Sequence, residues 1–169
     1  MKINTPYFII EIEWLLIIVI FITILSPKVE TTLQPFFVCY LFILFHELSH
    51  VFVASIFGKN MDKFKISLSG VCVSFEKRRY EYKNKYKKND IYDLFIYLAG
   101  PISNILLALI FRNNILIFQL NMSLAILNLI PIFPLDGYNI FKSLLQIFNV
   151  ENFKIEIISD IISNIIFYL

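Results

Sequence analysis

Apolar residues in this chain come in long runs rather than in the short clusters of a globular core. The first run, about Ile9 to Leu25, predicts a membrane span with Trp14 at the interface. No small-residue cleavage site follows it, and Ser26-Pro27-Lys28 ends it, so an uncleaved span is expected rather than a signal peptide. The second run, Leu33 to Phe57, is long enough to cross a bilayer with tilt, and Gly58 closes it. The third, about Ile91 to Phe111, contains Ala99-Gly100-Pro101, where an interior proline predicts a break or kink. The fourth starts at Ile115 and runs out in a proline-containing stretch, giving bounds of about 115–135. Two shorter helices are expected after it, at 138–148 and 155–169. The last has apolar residues at 155, 158, 161, 162, 165 and 166, with Glu156 and Asp160 to one side, and is short for a full span. Between the second and third runs the period changes to two. Phe64, Ile66 and Leu68 alternate with polar residues, and Val71, Val73 and Phe75 follow Ser69-Gly70, predicting a β-hairpin over 63–75.

Composition agrees with these runs. Hydrophobic residues make up 58% of the 169, above the usual half, and the expected fold class is an all-α polytopic membrane protein. The expectation is one domain, a helical bundle of four to six transmembrane segments with a small membrane-associated β-hairpin. Net charge is only +2, but ten of the fifteen Lys and Arg fall between Lys59 and Lys88. The positive-inside rule makes that side cytoplasmic. The stretch Glu76–Asp90 reads as a solvated loop touching anionic lipid headgroups, and no nucleic-acid partner is expected. Cys39 and Cys72 form neither a zinc pattern nor a disulfide framework and read as small apolar fillers. Glu11, Glu13 and Asp93 read as interfacial.

The chemistry concentrates in His46-Glu47-Leu48-Ser49-His50, inside the second run. These are the only two histidines of the chain. Residues four apart share a helix face, so both imidazoles can reach one ion. Burying two imidazoles and a carboxylate among apolar residues is costly unless they bind something or pair. Two His at this spacing with an adjoining Glu is the zinc-hydrolase pattern, in which the His bind metal and the Glu takes a proton from water. His50 lies seven residues before Phe57, roughly 10 Å from the cytoplasmic end of its helix.

A hydrolytic zinc keeps three protein ligands and one open position. The best third candidate is Asp136, after Pro131 and Pro134. Non-helical backbone at membrane depth is tolerated where protein buries it or where it lines a wet cavity. The competing reading makes Asp136 an N-cap for the helix at Tyr138. The fourth run points inward, which brings residue 136 to the same leaflet as the histidines. Asn128 and Asn104 are amides in apolar runs, able to hold or polarise a substrate or simply to join helices.

Together these residues resemble the site-2 protease family of intramembrane zinc metalloproteases. The resemblance rests on His46-Glu47-x-x-His50, on Gly100-Pro101-x-x-Asn104 and on Asn128-x-x-Pro-x-x-Pro-x-Asp136-Gly137, and covers roughly residues 10–148. It implies one Zn2+ held by His46, His50 and Asp136, with Glu47 as catalytic acid and base. It also implies that the Ile66–Phe75 hairpin, turning at Gly70, helps to receive substrate, with Asn128 in contact and Asn104 a further candidate. The implied partners are a membrane-associated protein substrate, regulatory membrane proteins and the lipid bilayer. Within the family the chain looks most like the bacterial sporulation branch, that of stage IV sporulation protein FB, without a PDZ or CBS domain. Members of that branch activate a sigma factor by removing its pro-sequence. That implies a bacterial cell or forespore membrane, with the active site on the cytoplasmic side. Ser49 and Tyr138 stand where the family commonly has Gly, and neither change removes a ligand. Two other classes compete. A silent scaffold or metal-binding regulator would have no need of Glu47. A metal-ion transporter would usually show paired repeats, which this chain lacks.

Overall fold

The computed structural model describes residues 2–4, 9–25, 27–59, 61–67, 70–75 and 86–168. The chain folds as two compact units, Met1–Lys77 and Arg78–Leu169. The Ser26 stop, the hairpin tip at Leu68-Ser69 and the basic loop from Glu76 to Lys85 lie outside the described residues.

The first unit joins a four-stranded sheet to two helices. Strands β1 (Lys2–Asn4), β2 (Ile9–Ile12), β3 (Met61–Ser67) and β4 (Gly70–Phe75) lie in that order. The expected hairpin is β3–β4, antiparallel, with Phe64 opposite Val73 and Ile66 opposite Val71. The sheet extends further than expected. Ile9–Ile12 does not begin a helix but pairs in parallel with β3, Ile10 opposite Phe64 and Ile12 opposite Ile66. The Glu13 N–H continues the ladder to the Ile66 carbonyl at 2.9 Å, and Glu11 meets the Lys63 ammonium at 2.6 Å. This pairing takes the first four residues of the expected span, and helix α1 is only Trp14–Leu25. Cys72 is exposed on β4, so it fills no core.

Helix α2 (Pro27–Ile56) packs on α1 and on β4. The Tyr40 hydroxyl donates to the Ser67 carbonyl at 2.9 Å, fixing the helix to the end of β3. Along α2 the buried positions are Phe42, His46, His50 and Ala54, one every four residues, while Leu41, Phe45, Leu48, Phe52 and Ile56 are exposed. The inward stripe therefore carries the polar groups and the outward faces carry the large apolar ones.

The second unit is helical: α3 (Tyr86–Ile110), α4 (Ile115–Leu129), α5 (Asp136–Ile147) and α6 (Asn152–Phe167). Helix α3 packs on α4 and α5, and α5 on α6. Helix α3 runs unbroken through Pro101, where a break was expected. Pro101 is fully buried, so packing carries the helix past the missing N–H. Helix α4 ends at Leu129 rather than near 135, because Pro131 and Pro134 cannot continue it.

Burial in this unit reverses the pattern of water-soluble proteins. The buried set includes Ser103, Asn104, Asn121, Ser143, Ser159 and Ser163, while Leu106, Leu109, Ile110, Leu116, Ile126 and Leu127 are exposed. On α6 the buried face is Ile155, Ser159 and Ser163, and Ile158, Ile161 and Ile165 face out. Lipid supplies no force to bury apolar side chains, and small or polar residues join helices there. Among the described residues two helical stretches, Phe36–Ile56 and Asp90–Ile110, are long and apolar enough to cross a membrane, and Ile115–Leu129 is a shorter apolar helix.

Candidate metal centre

His46 and His50 sit one turn apart on α2, each 4% exposed, with ring centroids 4.8 Å apart and planes at 80°. Ser49, on the intervening turn, returns its hydroxyl to the Phe45 carbonyl at 2.8 Å and stays with its own helix. Glu47 is half-buried, beside the buried stripe.

Asp136 is the first residue of α5, and Leu135 occupies the cap position without a side-chain cap bond. The N-cap reading therefore misses by one residue. An acid in the first turn is still favoured by the helix dipole. Its position is set by the segment Ile130–Leu135, which includes a cis Phe133–Pro134 bond. Ile132 N–H donates to the Ile130 carbonyl and Leu135 N–H to the Ile132 carbonyl, both at 2.8 Å, so the segment is a chain of tight turns.

Gly137 explains how α5 can start so close to the end of α4. A Cβ there would collide with the backbone carbonyl oxygens of Ile130 and Leu129. Neither can swing away, since Pro131 follows directly. Gly137→Ala is expected to cost about 1–3 kcal/mol of stability, the usual range for overpacking. Thermal unfolding of the two proteins in the same detergent measures it; an unchanged midpoint would mean that the α4–α5 approach is not tight.

His46 and His50 in the first unit and Asp136 in the second each offer a ligand atom of a type that a metal ion takes. Two imidazoles and one carboxylate are borderline-hard donors that fit Zn2+ and leave a coordination position open.

The sequence model of peptidase family M50 matches residues 113–169, about a third of the chain, a stretch that holds Asn128 and Asp136 but neither histidine. Among solved structures the chain is similar to the site-2 protease from Methanocaldococcus jannaschii, with a TM-score of 0.62 and 22% identity over 94% of this chain and 77% of that one. At that identity the likeness is one of fold. No curated protein matches the chain.

The remaining candidates lie apart from these donors in chemistry. Asn128 is half-buried and gives its amide hydrogen to the Leu124 carbonyl of its own helix at 3.0 Å. Asn104 is completely buried and accepts from the Ser103 hydroxyl at 3.4 Å, the setting of an amide that joins helices. Gly70 opens β4 at φ +143°, a backbone angle that favours glycine, and its carbonyl accepts from the Ser67 hydroxyl at 2.8 Å.

Sequence reasoning missed the neighbours of the Asp136 segment. Tyr138, 8% exposed, donates its hydroxyl to Asp160 at 2.5 Å. Burial, that hydrogen bond and the negative charges of Asp160 and Glu156 push its pKa up to about 12. Ser163 accepts the Phe133 N–H at 3.0 Å. The i, i+4 spacing of Ser159 and Ser163 was the available signal, a polar stripe on an otherwise apolar helix.

Proposed function

We propose that this protein is an intramembrane zinc metalloprotease that hydrolyses peptide bonds of membrane-associated proteins near the cytoplasmic leaflet. What carries the reading is the donor chemistry: two buried imidazoles one helical turn apart with an acid between them in the chain, and the Asp136 carboxylate at the end of the proline segment. The M50 match and the site-2 protease fold support it, as do the motifs that resemble that family. The inside-out burial supports the membrane setting. On this reading further segments beside the two long apolar helices enter the bilayer, and the basic residues 59–88 face the cytoplasm.

His46, His50 and Asp136 would hold the ion. Zinc bound there supplies a water of lowered pKa and a Lewis acid for the scissile carbonyl. The Glu47 carboxylate takes the proton from the attacking water and returns it to the leaving nitrogen, so one water is consumed per bond cleaved. The substrate is cut as an extended strand, because a helical peptide bond is shielded by its own hydrogen bonds. Strand β4 ends the sheet order and packs on α2, so its edge can hold such a strand beside the histidine helix. Asn128 is assigned to substrate contact. By resemblance to the sporulation branch, the substrate class is a membrane-tethered transcription regulator, a pro-sigma factor first among them.

The test is zinc content together with cleavage. Purified protein should hold one zinc per chain, and coexpression with candidate membrane-tethered regulators should yield a cleaved product. Cleavage in isolated membranes should stop with 1,10-phenanthroline and return on adding zinc. Processing that continues unchanged in the chelator would remove the metalloprotease reading.

A further inference from the structure

The segment that carries Asp136 is held by α6 on both sides of the ligand. It has four N–H donors, because Pro131 and Pro134 have none. Those of Ile130, Ile132 and Leu135 bond to carbonyls within the segment or at the end of α4. The fourth, that of Phe133, reaches across thirty residues to the Ser163 hydroxyl at 3.0 Å. Phe133 lies three residues before Asp136. Two residues after Asp136, the Tyr138 hydroxyl donates to Asp160 at 2.5 Å. Its ring meets that of Phe133 edge-on at 5.7 Å, and Lys142 Nζ sits 4.9 Å over it. Ser163 and Asp160 are three apart on α6 and therefore share a face.

We propose that α6 is a positioning helix for the metal ligand, with Ser163 and Asp160 fixing the backbone on either side of Asp136 through the Phe133 N–H and the Tyr138 hydroxyl. The inference rests on the zinc reading above and assigns the end of the chain a part in it. The carboxylate follows directly on a turn segment that carries two prolines, so the course of that backbone sets where it stands. A ligand loop held from one side only would swing about its free end. The two bonds to one rigid helix remove that freedom, which is what partners around a ligand do for metal affinity.

The structure also supplies a control. Ser159 lies one turn before Ser163 on the same face, is 1% exposed, and its hydroxyl has no hydrogen-bond partner among the described residues. Ser159→Ala therefore deletes the same atom from the same helix without touching the segment.

The experiment titrates zinc into metal-free, detergent-solubilised full-length protein against a chromophoric chelator, with the unfolding midpoint of each metal-free variant recorded alongside. Ser163→Ala is expected to weaken zinc about tenfold, the lower end of the range for partners outside the ligand shell. Ser163→Thr, which keeps the hydroxyl, and Ser159→Ala should stay within about twofold of wild type, on the same scale. Asp160→Ala, at an exposed position on α6, should weaken zinc like Ser163→Ala and guards against a folding defect in the buried variant. Zinc binding in Ser163→Ala and Asp160→Ala equal to that in Ser159→Ala would overturn the proposal and leave the protease reading standing. Wild type that binds no zinc would instead remove the protease reading, and the positioning role with it.

Discussion

Glu47→Gln is expected to leave the fold and zinc uptake intact while cleavage falls by about 10²–10⁴-fold, the range for losing a general acid–base. The amide matches the carboxylate in shape but cannot accept the water proton at neutral pH. Glu47 follows His46 directly and is half-buried rather than inside the fully buried stripe, so the change creates neither a cavity nor an unpaired buried charge. Loss of activity with retained metal separates proton transfer from metal binding. The measurement is the fraction of a coexpressed membrane-tethered substrate processed by wild type and variant at matched expression, with zinc determined on the same purified proteins. Full processing by the variant would remove Glu47 from the mechanism and favour a different base.

Asp136→Ala should have the opposite signature, with metal and activity lost together. Two imidazoles alone bind zinc far less tightly than the three-ligand set. The expected loss is at least about a hundredfold in affinity, beyond what partners outside the ligand shell contribute. The fold should tolerate the change. Asp136 is the first residue of α5 and not its cap, so the helix loses a charge–dipole term of about 0.3–1 kcal/mol. Zinc affinity and the unfolding midpoint together decide the matter. A variant that keeps its zinc would show that residue 136 is no ligand, whatever happens to activity.

The chemistry of the site was easier to read from the sequence than its supports. His46-Glu47-Leu48-Ser49-His50 is legible because helical spacing turns a pentapeptide into a face, and α2 puts both imidazoles on its buried stripe. Asp136 is legible only through the two prolines, which forbid the helix and mark the segment as special. Strand β2 was not legible. Ile9-Ile10-Glu11-Ile12 flows into an apolar run, and its parallel pairing with β3 is set by residues more than fifty positions away. At Pro101 the local rule offered a break or a kink, and burial keeps the helix continuous there. The apolar positions of α6 did not by themselves say which face is buried, because apolar side chains in lipid have no drive toward the protein interior. The spacing of Ser159 and Ser163 marked a polar stripe on α6, but the partners of Ser163 and Asp160 lie more than twenty residues upstream, so what the stripe holds was not legible locally.

The position of β2 bears on how the protein is handled. Residues 9–12 occupy one flank of β3, and β4 occupies the other. A tag that disturbs the leading dozen residues, or a shortened version lacking them, would leave a seven-residue strand with a raw flank of unmet backbone donors and acceptors. Such flanks recruit foreign strands, so self-association during extraction would then report a damaged sheet rather than a natural assembly.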